Sequence, residues 1–206
     1  MRVSRVSRWS FFATRTFVII FIAQLASRGD DFVQRIKERL EKVETIHATL
    51  TQTYRWEGFE TAQSFAGEIW LKRPNRLRLR LVNKEEHHLI VAGDTIWVYT
   101  PELKQAILTY HPSEIILEIF DLENYATEAK HDERCALILT PREENPYVQE
   151  MTLYVGEESL MVERIIMKDV NGNTTEWKFD EIQVNGEIAD SLFHFSPPPG
   201  VETIEE

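Results

Sequence analysis

Arg76-Leu-Arg-Leu-Arg-Leu81 sets three leucines on one face of an extended chain and three arginines on the other. Successive side chains of a strand point to opposite sides, so this stretch predicts a strand that is apolar on one face and wet on the other. The same period of two runs outward from it in both directions. Upstream, residues 47–56 put Ala48, Leu50, Tyr54 and Trp56 on one side and three threonines on the other. Phe65, Gly67, Ile69 and Leu71 then alternate with Ala66, Glu68 and Trp70. Downstream the alternation continues through residues 89–91, 95–99, 106–110, 136–139, 148–155, 162–168, 174–179 and 193–195. Gly93-Asp94, Gly156 and Asn171-Gly-Asn173 supply turns. Roughly ten one-sided strands in succession predict an α+β, mostly antiparallel fold, a meander curling into a barrel or half-barrel.

Two regions depart from that period. In residues 30–44, Phe32, Val33, Ile36, Leu40 and Val43 recur at helical spacing with charges between them, and Asp30 or Asp31 is placed to cap the helix start. This predicts one amphipathic helix packed on the sheet. Behind Pro112, residues Ile115, Ile116, Ile119, Phe120 and Leu122 also fall at helical spacing, and a shorter helical stretch is expected near residues 125–130. The apolar insertion reads either as a plug that fills one face of the sheet or as a removable cover over a cavity.

The chain has 206 residues and a formal net charge of −11. Residues 1–28 hold five arginines and no acid, so the remainder carries 18 Lys+Arg against 34 Asp+Glu. A basic start, the short apolar run Phe17-Val-Ile-Ile-Phe-Ile-Ala23 and small residues after it have the layout of a secretory signal peptide. The run falls short of the roughly 20 residues that span a bilayer. Residues 1–28 are therefore expected to be a signal peptide and 29–206 a single exported domain, with an uncleaved N-terminal anchor as the alternative. An acidic body repels phosphate backbones and anionic bilayers, which argues against nucleic-acid binding. A single cysteine, Cys135, excludes an intramolecular disulfide and a cysteine-rich zinc site.

Sequence motifs for catalysis are missing. There is no G-x-S-x-G, no H-E-x-x-H and no phosphate-cradling glycine loop. The six histidines form no ligand pattern, and adjacent His87 and His88 would point to opposite faces of a strand, so they are read as isolated surface groups. Glu85-Glu86 and Glu143-Glu144 read as loop charges, and Cys135 as a buried side chain rather than a nucleophile. Arg76, Arg78 and Arg80 read as a solvated face neutralised by the chain's many acids. The expectation is a protein that is not an enzyme and uses no cofactor and no metal.

Four stretches, in order, resemble the LolA family of periplasmic outer-membrane lipoprotein carriers. They are residues 36–52, similar to that family's opening helix and first strand; Gly67-Glu-Ile-Trp-Leu-Lys-Arg-Pro-Asn75 with its Lys-Arg-Pro turn; residues 90–105; and Phe193-His-Phe-Ser-Pro-Pro-Pro-Gly-Val201. The resemblance implies a strongly curved, unclosed β-barrel, or half-barrel, covered by an N-terminal helix and a helical lid. It implies a carrier, located in the periplasm and monomeric, that takes acylated lipoproteins from an inner-membrane lipoprotein-releasing transporter to an outer-membrane lipoprotein receptor. It also implies that Arg73, the arginine of the Lys-Arg-Pro turn, latches the lid by hydrogen bonds to the covering helices. On this reading Leu77, Leu79, Leu81, Val91, Ile96 and Val98 of the sheet, with Ile115, Ile116, Ile119 and Phe120 of the insertion, line the acyl-chain cavity. The chain departs from the family in having leucines where aromatic residues are common after Lys-Arg-Pro, and in a compact segment before Cys135. The competing expectation is a sensor or adaptor on the same half-barrel that binds another lipid or a protein partner.

Overall fold

A computed structural model describes residues 31–110, 122–131 and 135–205. Helix α1 spans 31–41. Twelve strands follow: β1 (Thr45–Arg55), β2 (Ala62–Lys72), β3 (Arg76–Val82), β4 (Glu86–Ala92), β5 (Thr95–Thr100), β6 (Gln105–Thr109), β7 (Tyr125–His131), β8 (Cys135–Pro141), β9 (Glu150–Val155), β10 (Val162–Lys168), β11 (Thr174–Val184) and β12 (Glu202–Glu205). All belong to one sheet of order β12-β6-β5-β4-β3-β2-β1-β11-β10-β9-β8-β7. It consists of two meanders, β1–β6 and β7–β11, joined by the long β1–β11 pairing. Every pairing is antiparallel except that of β12, which runs parallel along β6.

The sheet is curved and unclosed. Gly67 is one place where the bend is built in: a Cβ there would run into the Arg80 carbonyl oxygen across the β2–β3 pair. Only glycine permits that approach.

The period of two decides which face is apolar. Cross-strand register lines up Ile46, Leu71, Leu77, Val91 and Ile96 in one rung and Ala48, Ile69, Leu79, Leu89, Val98 and Ile107 in the next. These rungs make a core over β1–β5. A second core lies over β7–β11, where α1 contributes Phe32, Ile36 and Leu40 against Leu137, Leu139, Met151, Leu153 and Ile165. Positions 32, 36 and 40 form one stripe of a helix, and burying each is worth about 1.5–3 kcal/mol. Trp177 and Phe179 of β11 touch both cores.

Three expectations are corrected. Residues 125–130 form edge strand β7 rather than a helix. Tyr125, Thr127 and Ala129 turn inward while Ala126, Glu128 and Lys130 face out, so pairing with β8 outweighs the helix propensity of Ala, Glu and Lys. Residues 193–195 are not a strand. Asp190–Phe193 winds into a 3-10 turn on the outer face of the sheet, with Phe193 buried, and the last strand is β12. Strand β9 begins at Glu150 rather than at 148, because the Asn145 side chain accepts bonds from the backbone N–H groups of Tyr147 and Val148 and holds them in a turn. The helical insertion over 113–121 lies outside the described residues; Leu122 is buried in the α1-side core.

Candidate functional site

The turn between β2 and β3 carries Arg73 to the point where α1 hands over to β1. Its Nε donates to the Val43 carbonyl at 2.8 Å and its Nη2 to the Leu40 carbonyl at 3.2 Å. Its backbone N–H donates to the Glu44 carbonyl at 2.9 Å. Carbonyls at a helix exit lack regular partners and form the negative end of the helix dipole, so a guanidinium there is doubly favoured. The turn is steadied from outside by Asp190, whose Oδ1 lies 2.6 Å from both Lys72 Nζ and Arg76 Nη1.

Directly behind this contact is a cavity of about 70 Å³ walled by Leu40, Ile46, Ala48, Ile69, Leu71, Met161, Val162, Ile165, Phe179 and Ile182. It sits where the two cores meet. Leu40 serves both features, its side chain as wall and its carbonyl as Arg73's acceptor. An engineered apolar cavity of about 150 Å³ stays dry and binds benzene; the hollow here is about half that size.

Of the residues expected to line the cavity, Leu77, Leu79, Val91 and Ile96 are buried in the β1–β5 core and Leu81 is packed half-buried against it. Val98 lies on the same face at 38% exposure. None of the six walls the hollow beneath Arg73. Ile115, Ile116, Ile119 and Phe120 lie outside the described residues. The walls that sequence reasoning missed come from α1, β1, β2, β10, β11 and Met161 just before β10. Ile46, Ala48, Ile69 and Leu71 carried the signal, because they share the parity of Leu77 and Leu79 on neighbouring strands.

The arginine face is not simply solvated. Arg78 Nη1 donates to the Leu192 carbonyl at 2.9 Å under the segment 186–193, and Arg80 pairs with Glu86 and Glu68. The Arg80 hydrogen bond holds the Glu86 carboxyl below its usual range. His88 is a half-buried neighbour of this cluster rather than an isolated surface group, its side chain 11% exposed and its Nε2 3.1 Å from Glu86. Burial lowers its pKa. Burial likewise raises that of the Cys135 thiol, which disfavours a thiolate. Among the described residues, no three His, Cys, Asp or Glu side chains are placed to hold a metal ion, and no helix is long and apolar enough to cross a membrane.

Residues 41–196 match the family described as outer membrane lipoprotein carrier protein LolA. The chain belongs to the LolA family. It is 28% identical to an outer-membrane lipoprotein carrier protein of Chromohalobacter salexigens, covering 98% of this chain and 99% of that one. Against the outer-membrane lipoprotein carrier protein of Salmonella paratyphi A, identity is 30% over 85% of this chain and 88% of the relative. Among solved structures, an uncharacterized conserved protein from Thermus thermophilus shares the fold with a TM-score of 0.59 at 14% identity, over 84% of this chain and 99% of that one. In this LolA chain, Arg73 is the arginine of the Lys-Arg-Pro turn that the resemblance had singled out.

Proposed function

We propose that this LolA chain is a periplasmic, non-enzymatic carrier that takes the acyl chains of a lipoprotein from an inner-membrane transporter and delivers them, as a monomer, to an outer-membrane receptor. The observation that carries this reading is the contact of Arg73 with the exit of α1, directly over a wholly apolar hollow. Each methylene hidden from water is worth about 0.8 kcal/mol, so free acyl chains in an aqueous compartment would cost tens of kcal/mol. A carrier must cover them and yet give them up. A closure held by a charge-assisted cluster of about 1.5–3 kcal/mol opposes loading by that amount and favours return to the empty state on release. Leu77, Leu79, Leu81, Val91, Ile96 and Val98 are the proposed acyl contacts on the sheet once the hollow opens, with Ile115, Ile116, Ile119 and Phe120 as contacts from the insertion.

Native mass spectrometry of the protein recovered from the envelope tests the assignment. A co-purified triacylated lipoprotein is the expected partner. A glycolipid, or an empty chain held tightly by a protein partner, would overturn it. Arg73→Leu is expected to accept cargo and to hand it poorly to the receptor; normal hand-over by that variant removes the latch.

A further inference from the structure

The joint between α1 and β1 is gripped from two sides, and only one grip belongs to Arg73. The other comes from Asn185, which follows β11. Its Nδ2 donates to the Lys42 carbonyl at 3.0 Å, and its Oδ1 accepts from the Glu44 N–H at 2.8 Å. Its own N–H donates to the Thr45 carbonyl at 2.9 Å, and the Thr45 hydroxyl donates to the Gly186 carbonyl at 2.7 Å. Asn185 has a φ of 58°, in the left-handed region that asparagine enters more readily than most residues. The amide matters as much as the backbone. A carbonyl at 42 and an N–H at 44 require one donor and one acceptor on the same short side chain, which asparagine supplies and aspartate or leucine does not.

We propose that Asn185 is a second latch residue, a positioning group that holds the exit of α1 closed from the β11 side and so sets how readily cargo enters and leaves. The inference rests on the lid reading above. Residues 42–44 are the segment that must rearrange if α1 swings from the sheet. Arg73 binds the carbonyls of residues 40, 43 and 44, while Asn185 binds the carbonyl of 42 and the N–H of 44. Any swing breaks both sets of bonds. A merely architectural role would weaken the protein in its empty and loaded forms alike. A latch stabilises the closed form alone, so its loss raises the population competent to bind.

The full-length chain, titrated with 11-(dansylamino)undecanoic acid, distinguishes these. Asn185→Gly keeps the left-handed backbone without strain and deletes only the amide. It is expected to bind the probe about five- to tenfold more tightly than the parent, the size of two modest hydrogen bonds. Asn185→Asp keeps the acceptor for the Glu44 N–H but sets a carboxylate oxygen against the Lys42 carbonyl, and should also bind the probe more tightly than the parent. Backbone amides of residues 40–45 should exchange faster in the empty Gly variant. In the double variant with Arg73→Leu the gain should be smaller than the product of the single gains, because both side chains grip one joint. Unchanged or weaker probe binding by Asn185→Gly, with Arg73→Leu still tightening it, overturns the role of Asn185 and leaves the lid reading standing. Unchanged binding in both variants overturns the two together. Should Asn185→Gly not fold, Asn185→Asp carries the test, and parental affinity in that variant overturns the inference.

Discussion

A guanidinium over the last carbonyls of a helix competes with water for every bond it makes, so Arg73 contributes a small term, of the size the proposed latch needs. Arg73→Lys would keep the charge and lose the fork that reaches two carbonyls, and should behave nearer to Arg73→Leu than to the parent in hand-over assays. On the sheet, Val98 gives a clean test of the proposed acyl-contacting face, because it shares a rung with Leu79 and Leu89 yet is already partly exposed. Val98→Glu should fold with stability within about 1 kcal/mol of the parent and weaken acyl-probe binding about tenfold, since a carboxylate resists an apolar contact. Unaltered binding would remove β5 from the site. Leu79→Glu is the stricter version, expected to block loading wherever it folds. Gly67→Ala, with its Cβ directed at the Arg80 carbonyl, should cost about 2–3 kcal/mol in denaturant unfolding.

Two elements hold the curved sheet from opposite faces. Inside, α1 is fixed by one apolar stripe, and Ile36, at 0% exposure, is its centre. Ile36→Ala should lower stability by about 2–5 kcal/mol in urea unfolding, more than any substitution on the helix's outer side. Outside, the segment 186–193 is fastened largely by polar contacts. The hydrogen bond from Lys72, aided by the charge of Arg76, holds the Asp190 carboxyl below its ordinary value of 3.8. A carboxyl depressed in the fold stabilises it above the ordinary value, and that contribution is lost as pH falls through the depressed one. The amide NMR signals of residues 186–193 should therefore shift as pH falls below the ordinary carboxyl value of 3.8 while those at Ile36 stay in place. Asp190→Asn should remove that titration. His88 acts with the same sign: its pKa falls below the ordinary 6.5 through burial, so acid protonates the unfolded chain first.

At the scale of the molecule, the cavity beneath Arg73 marks where two cores meet without filling the space between them. Ala48 is a small side chain in that wall, and Ala48→Val should leave the melting temperature unchanged or raised while lowering acyl-probe affinity severalfold. A loss of stability with unaltered affinity would place loading elsewhere. The arrangement also explains which parts of the site were legible. Arg73 and the alternating leucines announce themselves locally, one in a turn motif, the others by parity. The cavity walls do not, because Ile46, Ile69, Ile165 and Phe179 come together only through the β1–β11 pairing that joins the two meanders.

The sequence by itself determined the class of fold and the inward face of most strands, because side-chain direction in a strand is a local property with a period of two. It determined the family through residues whose order along the chain is enough to recognise. Tertiary structure alone decided that residues 125–130 pair as an edge strand, that the arginine face lies partly under the chain's own C-terminal segment, and that Asn185 reaches the exit of α1. Each of these depends on groups brought together across the fold; Asn185 and Lys42 are 143 residues apart. No local pattern encodes which distant backbone group a side chain will meet.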